Sequence, residues 1–144
     1  MVGLLITGHG EFAAGMQSAA KMIAGECEVI KYVKFLEGMS TEQLADQLNA
    51  AFDALSSCDG VVVLADLPGG SPFKTAVEYK YARPDQKIEV VAGTNLPMIV
   101  TGATLVEDES DPKALADELI EVGKDCLVPF VLEIHEDDAE EDGI

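Results

Sequence analysis

The sequence of 144 residues is 48% hydrophobic, so the chain can bury one substantial core without disulfide bonds or metals. Its 27 acidic residues outnumber the 9 basic ones and give a formal net charge of −18, which argues against nucleic acid and anionic membrane surfaces as partners. No apolar run reaches the roughly 20 residues of a membrane span, and no signal peptide is visible. We therefore expect one cytoplasmic domain over residues 1–135, followed by an acidic tail of residues 136–144.

Short apolar runs alternate with helix signals along the chain. The predicted strands cover residues 2–7, 29–35, 60–65 and 88–92. The predicted helices begin at Phe12, after the capping-box pair Ser40 and Gln43, after the N-cap Ser71 with Pro72, at Asn95 and at Asp111. Strands that alternate with helices are joined by parallel β-α-β crossovers. The predicted fold class is therefore α/β, a doubly wound open sheet of four parallel strands in the order 2-1-3-4, flanked by helices.

The last apolar stretch, LVPFVLEI, covers residues 127–134. Its apolar character predicts a further strand, and Pro129 favours an edge position because proline cannot donate to a ladder. The three cysteines lie far apart and form no C-x-x-C pair, so we expect reduced and mostly buried thiols.

The stretch LLITGHGEF places a single histidine between two glycines at the end of the first predicted strand. The spacing of Gly8, Gly10 and Ala13 fits the dinucleotide motif G-x-G-x-x-G/A, and Glu37 could serve as its ribose-binding acid. However, His9 would crowd the pyrophosphate, and 144 residues hold little more than one mononucleotide-binding half. We therefore do not expect a nucleotide site.

Other phosphate and metal motifs fit less well. The letters GHGE resemble the Arg-His-Gly-Glu signature of histidine phosphatases, but Gly8 stands where that motif needs arginine. A Walker A loop is excluded because no G-K-[ST] follows a glycine loop. The spacing of His9, Asp66 and His135 does not indicate a metal site, so we expect neither a metal nor a cofactor.

Three loops follow the carboxyl ends of predicted strands, where open parallel sheets bind their ligands. His9 follows strand 1, Asp66 follows strand 3, and residues 93–95 follow strand 4. Strands 1 and 3 are neighbours in the predicted order, so His9 and Asp66 should share one rim. A carboxylate that accepts Nδ1–H fixes the tautomer of a histidine and leaves Nε2 with a free lone pair. This pair predicts a nucleophile or a general base.

The glycine loop after Asp66 predicts a phosphate site. Gly69, Gly70 and Ser71 would present backbone N–H groups at a helix N-terminus, and Ser71 adds a hydroxyl. The glycines around His9, Gly10 among them, would let its phosphate lie against backbone amides. These features together suggest a phosphate held on or beside His9.

The stretches LLITGHGEFAAGM, GVVVLADLPGGSPFKTA and GTNLPMI resemble, in this order and over residues 1–122, the IIA component of the mannose family of the sugar phosphotransferase system. The resemblance implies a phosphotransferase component: a phosphocarrier in which the phosphocarrier protein HPr phosphorylates His9. His9 would then pass the group to a IIB component. That component phosphorylates the sugar as it enters through the membrane subunits IIC and IID, so this chain would meet the membrane only indirectly. The resemblance also implies that Asp66 orients His9, that Ser71 contacts the phosphoryl group, and that no cofactor takes part.

The resemblance further implies a homodimer in which a C-terminal strand, here residues 127–134, crosses antiparallel to the partner's sheet. The sequence departs from the family at two places. Pro68 stands where relatives often carry an aromatic residue, and Lys74 stands where they often carry asparagine. Lys74 is expected either to neutralise the phosphoryl group or to meet the IIB partner.

Two alternative functions remain open at this point. The phosphoryl-carrying subunit of dihydroxyacetone kinase resembles the same family but commonly carries further domains, so a chain ending at Ile144 favours the sugar system. A non-catalytic regulatory module is the other alternative, either a receiver-like domain phosphorylated on Asp66 or a sensor. A receiver would need an acidic pair after strand 1, where His9 stands instead.

Overall fold

The computed structural model describes residues 1–134, in which strands and helices alternate. The strands are β1 (Val2–His9), β2 (Ile30–Phe35), β3 (Gly60–Ala65) and β4 (Ile88–Val91). The helices are α1 (Phe12–Ala24), α2 (Thr41–Ala54), α3 (Gly70–Ala82), α4 (Leu96–Leu105) and α5 (Pro112–Asp125). His135 and the predicted tail of residues 136–144 lie outside the described residues.

The four strands form one parallel sheet in the order β2-β1-β3-β4, which confirms the predicted fold class. The central strands β1 and β3 are buried on both faces, as the continuous apolar run GVVVLA predicts for a parallel sheet covered by helices. At the sheet edges, β2 and β4 each combine buried residues with partly exposed ones, and β2 also has the exposed Lys34.

Alternate side chains of β1 enter two separate cores. Leu4 and Ile6 join the core beneath α1, α4 and α5, whereas Leu5 joins the core beneath α2 and α3. Phe52, on α2, is fully buried in the second core. Burial of each such side chain contributes about 1.5–3 kcal/mol, so the two cores hold the carboxyl ends of the strands in place.

Most helix ends lie where their capping residues predict. Ser40 and Gln43 form the expected capping box, with each side chain accepting from the other residue's backbone N–H. The third helix differs, because its N-cap is Gly69 and not Ser71. Gly69 and Gly70 have φ angles of 132° and 75°, and this glycine turn starts the helix before Ser71. Ser71 therefore lies in the first turn of α3.

The first strand is longer than predicted. It continues past Thr7 to His9, because β2 pairs with it up to the partners His9 and Phe35. His9 is therefore held by a strand, although the sequence placed it in a loop.

The C-terminal segment, residues 127–134, lies outside any helix or strand of the described single chain. Its side chains are exposed, and Phe130 is 88% exposed. The predicted strand is therefore not formed here, and a physical reason is that a strand needs a partner edge, which in this prediction belongs to a second chain. The prediction of buried thiols is wrong, since Cys27 and Cys58 are partly exposed and Cys126 is exposed. Within residues 1–134, no helix has the length and apolar character of a membrane span.

Candidate active site

His9 and Asp66 lie side by side where β1 and β3 end. The Oδ2 atom of Asp66 is 2.8 Å from Nδ1 of His9 and accepts the backbone N–H of the same residue at 2.9 Å. The other carboxylate oxygen accepts the backbone N–H of Leu67 at 2.9 Å. One carboxylate thus fixes both the ring and the backbone of His9, which is the arrangement that the sequence predicts for this pair.

The two partners differ in exposure. The His9 side chain is 47% exposed, whereas that of Asp66 is 12% exposed. The imidazole is open to an approaching molecule, and the carboxylate that orients it is covered. Phe35, at the end of β2, packs edge-on against the imidazole with the ring centroids 6.0 Å apart. This aromatic contact was not found from the sequence, because it depends on the register between β1 and β2.

The pKa of Asp66 reflects two opposing effects. Partial burial alone would raise this pKa, but the His9 backbone N–H, the His9 ring and the Leu67 N–H together outweigh it and lower the pKa below the ordinary value of 3.8. Asp66 is therefore a carboxylate at neutral pH and accepts a hydrogen bond from Nδ1–H of His9. That hydrogen bond leaves the lone pair on Nε2.

The Nε2 edge of His9 lies against the N-terminus of α3. A Cβ atom added to Gly70 would stand 2.8 Å from Nε2 and 2.7 Å from Cε1 of His9, so only glycine allows this approach. Gly69, Gly70 and Ser71 donate their N–H groups to no acceptor within residues 1–134. The reactive nitrogen therefore stands beside unpaired donors and the positive end of a helix dipole, which together attract an oxyanion.

Gly8 permits the close approach of Asp66 to β1. A Cβ atom at Gly8 would lie 2.6 Å from Cδ1 of Phe12 and 2.8 Å from Cγ of Asp66. Phe12 is the first residue of α1, so helix and carboxylate meet over this glycine. Sequence reasoning assigned Gly8 to the rejected nucleotide motif and, with Gly10, to the space around the His9 phosphate, and it missed this role.

Gly10 is used differently from the expectation. Its φ angle is +56°, and its N–H is donated to the carbonyl oxygen of Phe35 at 2.8 Å. This left-handed turn extends the pairing of β1 with β2 by one bridge. The Gly10 amide is therefore occupied, and we leave it out of the phosphate site.

The third loop at this rim, residues 93–95, holds the end of β3 in place beside the site. Thr94 is 7% exposed, and its hydroxyl and backbone N–H both donate to the carbonyl oxygen of Ala65, at 2.7 and 3.2 Å. Ala65 directly precedes Asp66. Asn95 caps α4 by accepting from the N–H of Met98 and donates to the carbonyl of Gly123. The loop thus fixes the end of β3.

The two residues that depart from the family lie close to the same rim. Pro68 and its neighbour Leu67 are exposed directly after Asp66. Lys74 is exposed one turn into α3 and lines a cleft that Ser71 also lines. Within residues 1–134, no three His, Cys, Asp or Glu side chains come close enough together to hold a metal ion.

The family model and the similar proteins of known name all point to the same family. Residues 3–120 match the family described as the PTS system fructose IIA component, where PTS is the phosphotransferase system. The mannose-specific EIIAB component of Escherichia coli (strain K12) is 34% identical over 119 residues, which are 83% of this chain and 35% of that protein. The fructose-specific EIIA component of Bacillus subtilis (strain 168) is 29% identical over 107 residues, which are 74% of this chain and 72% of that protein. The chain thus spans about a third of the length of the mannose-specific relatives.

Solved structures agree with this assignment. The EIIA component from Streptococcus agalactiae matches with a TM-score of 0.82 and 28% identity, covering 90% of this chain and 97% of that one. The mannose/sorbose specific IIA subunit from Enterococcus faecalis matches with a TM-score of 0.80 and 26% identity, covering 92% and 97%. Motifs, fold and comparisons agree, and the chain belongs to the mannose-type family of IIA components of the phosphotransferase system.

Proposed function

We propose that this chain is a phosphocarrier for sugar uptake. Nε2 of His9 accepts a phosphoryl group from HPr and passes it to a IIB component, and both steps take place in the cytoplasm. One observation carries the proposal: Asp66 holds Nδ1 of His9 at 2.8 Å, while the Nε2 edge lies against Gly70 at the start of α3.

Phosphorylation is a displacement at phosphorus. The Nε2 lone pair of His9 forms the new N–P bond while the bond between phosphorus and the donor breaks, and the electron pair of the broken bond stays on the donor. The proton on Nδ1 remains in its hydrogen bond to Asp66. In the second step a nucleophile of the IIB component attacks the same phosphorus, and the N–P electron pair returns to Nε2. The protein contributes in-line positioning and charge stabilisation to both steps.

The phosphoryl oxygens would be held at the N-terminus of α3. The free N–H groups of Gly69, Gly70 and Ser71, together with the Ser71 hydroxyl, are available for them. These donors are fixed by the helix, so they stabilise the charge that develops during transfer without having to reorganise. The dipole of α3 acts in the same direction.

Asp66 is a poorer candidate for phosphorylation than His9. Both of its oxygens already accept N–H groups, from His9 and Leu67, and its side chain is only 12% exposed. An attack by this carboxylate would break the hydrogen bonds that orient His9. The receiver-like alternative is therefore disfavoured by the geometry of the site.

The exposed rim around His9 is the proposed contact surface for both protein partners. A single Nε2 atom can hold one phosphoryl group, so HPr and the IIB component must use the surface in turn. Leu67, which is 46% exposed, and Pro68 supply apolar contact area beside the reactive nitrogen.

We also propose a homodimer in which residues 127–134 pair with β4 of a second copy. Among the described strands, β4 pairs only with β3, so one of its edges is free. The exposed apolar side chains of the segment are Leu127, Val128, Phe130, Val131, Leu132 and Ile134. Pairing across chains would cover both the edge and this apolar surface.

Light scattering tests the dimer. The intact chain should have twice the monomer mass, and Val131→Pro should shift it towards the monomer because proline removes a ladder donor. Glu121→Ala, at an exposed position of α5, is the control and should leave the mass unchanged. A monomeric intact chain would contradict the proposal.

Intact mass spectrometry tests the phosphocarrier proposal. Wild type, His9→Ala and the matched control His135→Ala are incubated with phosphoenolpyruvate, enzyme I and HPr. We expect one added phosphate, labile in acid, on wild type and His135→Ala, and none on His9→Ala. A wild type without phosphate, or a His9→Ala variant that still takes one, would overturn the proposal.

A further inference from the structure

Lys74 lines the same cleft as Ser71, which lies in the first turn of α3. Ser71, Lys74, Thr75 and Glu78 follow one another at helical spacing, so they lie on one face of α3. This face borders α2 across a cleft of about 340 Å³. The cleft is lined by these four residues and by Thr41, Glu42 and Ala45. Ser71, which the proposed function places at the phosphoryl group, is therefore a wall residue of the same cleft.

The direction of helical side chains brings Lys74 towards Ser71. In a helix the Cα–Cβ bond leans towards the N-terminus, so the lysine stem leans towards the turn that Ser71 begins. The two residues are separated by about 4.5 Å along the helix axis, since each residue rises 1.5 Å. The flexible four-carbon stem of lysine can cover this separation. Nζ can therefore reach the level of the Ser71 hydroxyl.

The charge on Lys74 has no partner in the described part of the protein. Five of the nine basic residues form ion pairs, namely Lys21, Lys80, Arg83, Lys113 and Lys124. Lys74 forms none within residues 1–134, although Glu42 shares its cleft and Glu78 lies four residues further along α3.

The position of this lysine is unfavourable without an anion nearby. A cation near the N-terminus of a helix opposes the helix dipole, so Lys74 does not stabilise α3 electrostatically. A phosphoryl group on His9 would reverse this balance, because it places up to two negative charges at the same helix end. The partner that Lys74 lacks would then be present.

We propose that Lys74 binds the phosphoryl group once it is on His9, and that this contact stabilises the phosphorylated chain relative to phospho-HPr. This inference rests on the proposed function and decides between the two roles expected for Lys74. The contact is to the phosphoryl oxygens and not to the IIB partner. The ammonium group adds a charged donor to the backbone N–H groups of Gly69, Gly70 and Ser71.

The test compares Lys74→Met, which removes the charge and keeps the stem, with Lys74→Arg, which keeps the charge. Lys87→Met is the matched control. Lys87 is also exposed and forms no ion pair within residues 1–134, but it precedes β4 at the opposite end of the sheet. Each full-length protein is phosphorylated with phosphoenolpyruvate, enzyme I and HPr. The phosphoryl pKa is measured by ³¹P NMR titration, and the phosphoryl equilibrium with HPr is measured by mass spectrometry.

We expect Lys74→Met to raise the phosphoryl pKa by roughly 0.5–1 unit, because a nearby cation favours the doubly charged form. The equilibrium should shift towards phospho-HPr by about 3–10-fold, while Lys74→Arg and Lys87→Met stay near wild type. Equal titration curves for Lys74→Met and Lys87→Met would overturn the role of Lys74 and leave the phosphocarrier intact. A wild type that takes no phosphate would overturn the phosphocarrier, and the role of Lys74 with it.

Discussion

Two polar clusters at different places in the fold show how hydrogen bonding separates a scaffold from a site. In the Arg83 cluster, which joins the end of α3 to α2, the guanidinium donates to Gln86, Asn49 and Asp53 at 2.7–2.8 Å. It also lies 5.7 Å from the centre of the Phe52 ring. Each of its three nitrogens donates to a side chain of the protein, so the guanidinium is fixed within the scaffold.

The His9 site is only half satisfied. Asp66 has both oxygens occupied, but Nε2 of His9 and the N–H groups of Gly69, Gly70 and Ser71 have no partner within residues 1–134. The satisfied half orients the ring, and the unsatisfied half is available to a phosphoryl group. Unpaired donors beside a fixed nucleophile therefore indicate function, whereas a side chain whose three nitrogens all donate within the protein indicates structure.

The largest effect is expected for Gly70→Ala, which fills the open half of the site. The added Cβ would lie 2.8 Å from Nε2 of His9, and the φ angle of +75° is strained for alanine. Phosphorylation by HPr should fall by about 10³-fold or more, which corresponds to roughly 4 kcal/mol. The measurement is the initial rate of phosphorylation.

Gly93→Ala is the control for backbone strain. Gly93 has nearly the same φ angle, +78°, but a Cβ there meets nothing within 4 Å. We expect a comparable loss of stability in the two variants and a phosphorylation rate near wild type for Gly93→Ala. Equal rates in the two variants would show that collision with His9 is not the cause.

Asp66→Asn changes the satisfied half of the site and should have the next largest effect. Asparagine can hold the ring but does not select the tautomer with the proton on Nδ1, because its amide offers a donor as well as an acceptor. We expect phosphorylation to slow by about 10²–10³-fold, while the melting temperature changes by a few degrees. A wild-type rate would remove Asp66 from the mechanism.

Arg83→Met is the opposite experiment, because it removes the central side chain of the Arg83 cluster. The variant loses three hydrogen bonds and leaves Asn49 and Gln86 without their partner. We expect the free energy of unfolding to fall by about 1–3 kcal/mol, measured in urea, with an unchanged phosphorylation rate at a temperature where the variant is folded. A slower rate in the folded variant would contradict the division between scaffold and site.

The smallest effect is the acid dependence of stability. The pKa of Asp66 is lowered in the folded chain, so its contribution is present above the ordinary value of 3.8 and is lost as the pH falls through the lowered pKa. Between about pH 6 and pH 3, the free energy of unfolding measured in urea should therefore fall further for wild type than for Asp66→Asn. Parallel pH profiles for the two proteins would contradict this coupling.

The sequence predicts best what depends on local signals. The bounds of β3 and of α1 are confirmed, because a continuous apolar run and a terminal Gly25 are visible in a short window. The pairing of His9 with Asp66 is also confirmed, since strand order and the rule for carboxyl ends place both at one rim.

What the sequence misses depends on contacts between distant residues. Gly8 matters because Asp66 packs on it, and Thr94 matters because it donates to Ala65. The Gly10 amide was wrongly assigned to phosphate. It is bonded to Phe35, and this bond depends on the strand register, which the sequence does not display. Such contacts arise only once register and turns are fixed in three dimensions.

The most direct test of the account asks which nitrogen carries the phosphate. Long-range ¹H–¹⁵N NMR spectra of the phosphorylated chain identify the substituted atom on each histidine. The hydrogen bond from Nδ1 of His9 to Asp66 predicts phosphate on Nε2 of His9 alone. Phosphate on Nδ1 of His9, or on His135, would contradict the central claim that Asp66 reserves Nε2 for transfer.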